Sequence, residues 1–156
     1  RSVGFSKIFC SDLNDFRLDF AKKLGFEAVH SNELSEKILQ STIDGVDVAI
    51  VATGNLNALD SAINLVRKGG TIVMFGVPSK DASIDINMSN VYSKEITITT
   101  TYAASDTDTK NALELIASGT IDVKSLITHK YTLEDSQKAF DHAKTGDNAM
   151  KIIIEN

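Results

Sequence analysis

A length of 156 residues, 42% hydrophobic and 24% charged, suits one folded domain, or one and part of another, and excludes a disordered chain. The formal net charge of -5, with lysines and arginines scattered, excludes any general attraction to nucleic acid or anionic membrane. The lone cysteine, Cys10, excludes an internal disulfide and a multi-cysteine zinc cluster, and it points to a reducing, cytoplasmic setting. No apolar stretch is long enough to span a bilayer, and Arg1–Phe5 lacks the apolar segment of a signal peptide. Without an initiator Met, this start reads as a position inside a longer protein.

Lys7–Ser11 is a short apolar run suited to a buried strand. Leu13, Phe16, Phe20 and Leu24 then recur at helical steps, and Gly25 closes that helix. Ala28–His30 is a second strand. A short helix over Ser31–Gln40 has Ser31 or Asn32 as its expected cap. Val46–Ala52 reads as a strand buried on both faces of a parallel sheet, broken at Gly54. The next helix carries Leu56, Leu59, Ile63 and Val66 on one stripe, with Arg67 and Lys68 in its last turn and Gly69-Gly70 at its end. Thr71–Phe75 is another buried strand, and Gly76-Val77-Pro78 turns the chain. Ile84–Ile86 suggests a short edge segment, and Glu95–Tyr102 a strand with Thr97, Thr99 and Thr101 on one face. That face either pairs with another copy or is solvated. Ser105–Ser118 is a helix capped by Ser105 or Thr107 and closed by Gly119. Thr128–Thr132 is extended, Thr132 with Asp135 starts a helix through Ala139, Phe140 and Ala143 that Gly146 closes, and Lys151–Glu155 is a final strand. Strands alternating with helices imply parallel pairing in an α/β architecture.

Asp12 stands just past the first strand, where ligands of nucleotide-binding sheets lie. A carboxylate there can accept from both ribose hydroxyls of an adenosine and would repel a 2′-phosphate. The plainer reading makes Asp12 or Asn14 a helix cap. Arg17 either shares that ribose or is a solvated arginine. Thr53-Gly54 and Gly76-Val77 both follow buried strands, where glycine admits a flat ligand or simply turns the chain. His30, His129 and His142 have no neighbour at metal-ligand spacing, and no nucleophile-elbow motif is present. They read as structural or surface residues, Cys10 reads as a small core residue, and no catalytic or metal-binding residue is assigned in this chain.

The run from Ser11-Asp12-Leu13-Asn14 through Arg17 to Leu24-Gly25 resembles the second strand and helix of zinc-containing medium-chain alcohol and polyol dehydrogenases. Gly45–Gly54 is similar to the family's fourth strand, and Lys68–Val77 to its fifth. Leu126-Ile127-Thr128-His129 with Tyr131 and Leu133, Ala139-Phe140, and Lys151–Ile154 are similar to its C-terminal return segment. The match runs through nearly the whole chain, in order.

The resemblance implies a Rossmann-like parallel sheet with helices on both faces, lacking its first strand and glycine-rich turn. Residues 1–101 would form a partial NAD-binding domain, and residues 102–156 the C-terminal segment of the catalytic domain. It implies that Asp12 and Arg17 hold the adenosine ribose of NAD and that Thr53 and Gly54 lie against the cofactor. Phe75, Gly76 and Val77, with Thr100 and Tyr102, would hold the nicotinamide carboxamide, and Lys151 would lie near the pyrophosphate. Val51 stands where the family often has an acid, and Thr100 where it often has glycine. The family's zinc ligands are absent here, so zinc is implied only for a full-length parent, where it would act as a Lewis acid on a small alcohol, polyol or sugar alcohol. A homodimer or tetramer would form through the strand at 95–101. The rivals are a zinc-free quinone or enoyl reductase of the same superfamily, which Asp12 disfavours, and a non-catalytic nucleotide-binding module. In the family strand order the first strand is central, so its neighbours here either lose a row of partners or close over the gap. Direct pairing of Lys7–Ser11 with Val46–Ala52 would mark the closed version.

Overall fold

The computed structural model describes residues 4, 5 and 7–156. In chain order its elements are β1 (Phe9–Asp12), α1 (Asp15–Lys23), β2 (Glu27–His30), α2 (Leu34–Ser41), β3 (Val46–Val51), α3 (Asn57–Leu65) and β4 (Val66–Met74), then α4 (Met88–Ser93), β5 (Thr97–Thr100), α5 (Asp106–Ala117), a 3-10 turn at Lys124–Leu126, β6 (Ile127–Thr132), α6 (Ser136–Thr145) and β7 (Lys151–Glu155). Every strand pair among the described residues is parallel, as the alternation predicts. The resemblance also implies the tail of the family's first crossover helix at Arg1–Phe5, which falls mostly outside the described residues; Gly4 and Phe5 belong to no helix. Contacts divide the chain into two compact units, Asn32–Ala103 and the combination of Arg1–Ser31 with Ala104–Asn156.

The Asn32–Ala103 unit holds a three-stranded sheet in the order β3-β4-β5. Its core gathers Val51, Leu59, Ala62, Ile63, Val66, Ile72 and Val91. The helical stripe supplies Leu59 and Ile63 as predicted, and α3 ends earlier than predicted. Val66 leaves the helix at ψ 136 and begins β4 opposite Val46. Arg67 and Lys68 therefore lie on a strand, not in a helical turn. The ammonium of Lys94 takes the place expected for them, donating to the carbonyls of Ile63 and Asn64 (both 3.1 Å) and of Val66 (3.4 Å). Arg67 is drawn aside by Asp47, Nε to Oδ1 at 2.7 Å. Gly69 and Gly70 sit inside β4, where the register shifts between its pairings with Val46 and Val48. A Cβ at Gly70 would lie 2.3 Å from Val66 Cγ1, so no larger residue fits that bulge.

Three further expectations change in this unit. β3 is not buried on both faces: Val51 is buried in the core while Ile50, its neighbour on the opposite face, is 66% exposed. Ile84–Ile86 forms no strand, although both isoleucines pack against the core. The α2 cap also differs, with Glu33 at that position and no side-chain bond from it, in place of Ser31 or Asn32.

The other unit contains two parallel pairs, β1-β2 and β6-β7. α1 contacts both β1 and β2, and α6 contacts both β6 and β7. Leu18 is the buried residue of α1, whereas Leu13 precedes the helix and is 72% exposed, so the predicted stripe was one position out of phase with the packed face. Gly146 ends α6 in the left-handed conformation at φ 70, as predicted. Among the described residues β1 pairs with β2 alone and β3 with β4 alone, and the pairing of Lys7–Ser11 with Val46–Ala52 is not among the strand pairs.

Candidate functional site

The strand-end carboxylate is built by local hydrogen bonding. Asp12 closes β1, and its carbonyl accepts from the N–H of Ser31 (3.1 Å), which fixes the strand end against the turn after β2. Its Oδ1 accepts from the N–H groups of Leu13 (2.8 Å) and Asn14 (3.0 Å). Its Oδ2 lies 3.4 Å from Arg17 Nη1, with both side chains partly exposed. Asn14, not Asp12, caps α1: its backbone is extended and its Oδ1 accepts from the N–H of Arg17. Asp12 is thus free of the capping role. Its Oδ1 is filled by two backbone donors, which leaves Oδ2 as the atom with acceptor capacity to spare. A partly exposed carboxylate oxygen at the carboxyl end of a parallel strand, with a guanidinium beside it, suits the hydroxyls of a ribose.

Seven of the other predicted residues fall in the Asn32–Ala103 unit, all at the carboxyl ends of neighbouring parallel strands. Thr53 and Gly54 follow β3, Phe75, Gly76 and Val77 follow β4, Thr100 ends β5 and Tyr102 follows it. The glycines have a reason that needs no ligand. A Cβ at Gly76 would lie 2.3–2.5 Å from the backbone of Thr53, and one at Gly54 would lie 2.4 Å from the carbonyl oxygen of Val77. The two turns pack main chain on main chain. The N–H groups of Phe75 (3.0 Å) and Gly76 (2.8 Å) both donate to the carbonyl of Val51, whose side chain is buried in the core. Thr53 Oγ1 accepts from the N–H of Asn55 at 3.2 Å. The side chains of Phe75, Val77 and Tyr102 are largely exposed, Tyr102 at 89%. Lys151 opens β7 beside Ile127 and is exposed, and its carbonyl accepts from Thr128 Oγ1 (3.3 Å).

One cluster escaped the sequence reading. His129 on β6 and His142 on α6 stand with ring centroids 4.4 Å apart in an edge-to-face arrangement. His142 Nε2 is 2.6 Å from the carbonyl oxygen of Asp147, which can only accept, so the ring carries its proton there. Its Nδ1 accepts from the Tyr131 hydroxyl at 2.8 Å. His129 and Tyr131 alternate on one face of a strand, which was readable from spacing; that α6 folds back to add His142 was not.

Among the described residues no group of three or more His, Cys, Asp or Glu could hold a metal ion, and both nitrogens of His142 are already used. The residues present do not fit zinc. Cys10 is half-buried, and burial raises its thiol pKa.

The family model described as zinc-binding dehydrogenase matches residues 1–118. A sorbitol dehydrogenase from Bacillus subtilis is 35% identical over 99% of this chain and 44% of its own length. An L-threonine 3-dehydrogenase from Marinomonas is 32% identical over 99% of this chain and 46% of its own length. The crystal structure of 2R,3R-butanediol dehydrogenase from Bacillus subtilis superposes with a TM-score of 0.84 at 25% identity, over 98% of this chain and 44% of that one. The chain thus spans about half the length of the curated relatives it matches, and its Rossmann-like α/β fold is theirs. With a family model covering three quarters of its residues, the chain belongs to the zinc-binding dehydrogenase family.

Proposed function

We propose that the chain is the cofactor-binding portion of an NAD-dependent oxidoreductase that acts on a small alcohol, polyol or sugar alcohol. The observation that carries this reading is Asp12, which offers Oδ2 at the carboxyl end of β1 with Arg17 beside it. The carboxylate accepts from the ribose hydroxyls and disfavours a 2′-phosphate by like-charge repulsion, so the dinucleotide is NAD rather than NADP. Residues 1–101 serve this binding, and residues 102–156 belong to the catalytic domain. At the other end of the dinucleotide, the strand-end backbone of Phe75–Val77, with Thr53, Gly54, Thr100 and Tyr102, receives the nicotinamide, while Lys151 serves the pyrophosphate. NAD, when bound, supplies the hydride acceptor. The chain's own residues bind and orient it; the ligands of zinc are not among them, and no step is assigned to that metal here.

The chain meets only small molecules and copies of itself in this reading, in a cytoplasmic setting. No helix of the described residues is long and apolar enough to cross a membrane. β5 pairs with β4 alone among the described residues, and its four residues are exposed. That free edge supports assembly of a dimer or tetramer through this strand.

Calorimetric titration with NADH and NADPH tests the cofactor assignment. NADH should bind more tightly, and Asp12→Asn should weaken NADH and narrow the gap. A preference for NADPH of about tenfold or more, roughly 1.4 kcal/mol, would overturn it in favour of the reductase reading. NADH binding by an intact protein that shows no alcohol-dependent turnover would favour a binding module instead.

A further inference from the structure

Asn14 uses both halves of its side-chain amide. Oδ1 accepts from the N–H of Arg17 (3.3 Å), and Nδ2 donates to the carbonyl of Gly146 (3.3 Å), which lies 132 residues further along the chain. The backbone N–H can only donate and the carbonyl can only accept, so the orientation of the amide is fixed by its partners. Gly146 is itself held. It is buried, adopts φ 70 at the end of α6, and its N–H donates to the carbonyl of His142 at 2.8 Å. The Arg17 guanidinium passes close over the same turn: a Cβ added at Gly146 would lie 3.2 Å from Nη2.

The consequence falls on Asp12. Its Oδ1 is bonded to the N–H of Asn14, which one turn of the C-terminal segment holds through the Gly146 carbonyl, and its Oδ2 faces Arg17, which lies beside the same turn. We infer that Asn14 is a positioning residue anchored on Gly146, through which the α6–β7 turn fixes the Asp12 carboxylate for an adenosine ribose. This rests on the reading of Asp12 as the ribose acceptor. It gives the α6–β7 turn of the C-terminal segment a part in holding the ribose end, beside the part proposed for Lys151 at the pyrophosphate.

Asn14→Ser isolates the link in the full chain. Serine keeps a side-chain acceptor for the cap, removes the amide donor and adds no charge. The first readout needs no ligand. Amide exchange at Leu13 and at position 14, both bonded to Asp12 Oδ1, should accelerate about three- to tenfold, the worth of one hydrogen bond, while the amides of Phe20–Lys23 stay unchanged. Unchanged exchange at both positions overturns the inference. The second readout is calorimetric titration with NADH and with AMP. Both dissociation constants should rise by the same factor, about three- to tenfold. Added to Asp12→Asn, the Asn14→Ser change should cost nothing more, whereas additive losses would reduce Asn14 to a helix cap and overturn the positioning role. If exchange responds but the parent chain binds neither NADH nor AMP, the positioning of Asp12 stands and the dinucleotide reading fails. Gly146→Asn approaches the same turn from the other side. Asparagine tolerates the left-handed φ, and its Cβ presses on Arg17. Weaker NADH binding with intact α1 amides supports the inference, and unchanged binding counts against it.

Discussion

At the scale of single residues, tertiary partners decide where local preference leaves the chain undetermined. The carboxyl end of α3 has no basic residue in its last turn, yet its orphan carbonyls are satisfied because the Lys94 ammonium reaches three of them. The carbonyl of Lys94 in turn accepts from the N–H of Gly69 at 2.8 Å, so this one residue ties α3, the β4 bulge and the approach to β5 together. Replacing Lys94 by Met keeps much of the aliphatic stem and removes the donors. Hydrogen bonds to charged groups contribute about 1.5–3 kcal/mol, and partial exposure puts this case at the low end, about 1.5 kcal/mol. Urea unfolding should show that loss in Lys94→Met and a smaller one in Lys94→Arg. A variant as stable as the parent would mean that water replaces the ammonium at no cost. The glycines at 54 and 76 teach a related lesson. Their positions were legible as strand-end turns, but the reason for glycine, backbone pressed on backbone, depends on two loops meeting in space.

Among the elements, α5 shows what caps can do where packing does little. None of its residues is buried, and a helix of this length is marginal by itself in water. Its amino end carries a complete capping box. Asp108 N–H donates to Ser105 Oγ (3.2 Å), and Asp108 Oδ2 accepts from the Ser105 N–H (2.9 Å) and hydroxyl (2.7 Å). The bonds from the Ser105 hydroxyl and then its N–H hold the Asp108 carboxyl below the usual carboxylate range. A group whose pKa is depressed by folding stabilises fully above its unfolded value and loses that contribution as pH falls through the folded one. α5 should therefore fray as acidification carries the pH below the ordinary aspartate range of about 4, and Asp108→Asn should fray it at neutral pH. Backbone chemical shifts of Asp106–Ala117 report this directly, and shifts that stay constant through the acid range would refute it. Ser105 was readable as a cap because small polar residues before a periodic run carry a local mechanism. α4 was not readable: at six residues it is too short to show a period. The α3–β4 junction was misread because the apolar stripe runs through Val66, while the chain itself turns there to pair with Val46. The strand-end carboxylate was legible from its place in the alternation. The division of labour between Asp12 and Asn14 was not, since it depends on which side chain reaches which N–H, and the link to Gly146 lay beyond any local pattern.

For the whole molecule, the burial of apolar side chains is uneven between the two compact units. The Asn32–Ala103 unit buries Val51, Leu59, Ile63, Leu65, Val66, Ile72 and Val91 around a three-stranded sheet. The other unit, among its described residues, buries only Leu18, Val29, Ala139 and Ala149 and divides its strands into two pairs. Two-stranded sheets are marginal alone, and fewer buried side chains mean less area removed from water. Opening should thus be cheaper in the unit that carries Asp12, Asn14 and Gly146 than in the unit built on β4. Native-state amide exchange should find the slowest protons at Ile72–Met74 and faster ones in β1, β2, β6 and β7. Ile72→Ala, at a fully buried position, should lower global stability by about 2–5 kcal/mol and accelerate the β3, β4 and β5 amides most. If every protected amide instead exchanged at one common rate, and Ile72→Ala accelerated all of them equally, the chain would open as one cooperative body and the contrast in core size would have no energetic meaning.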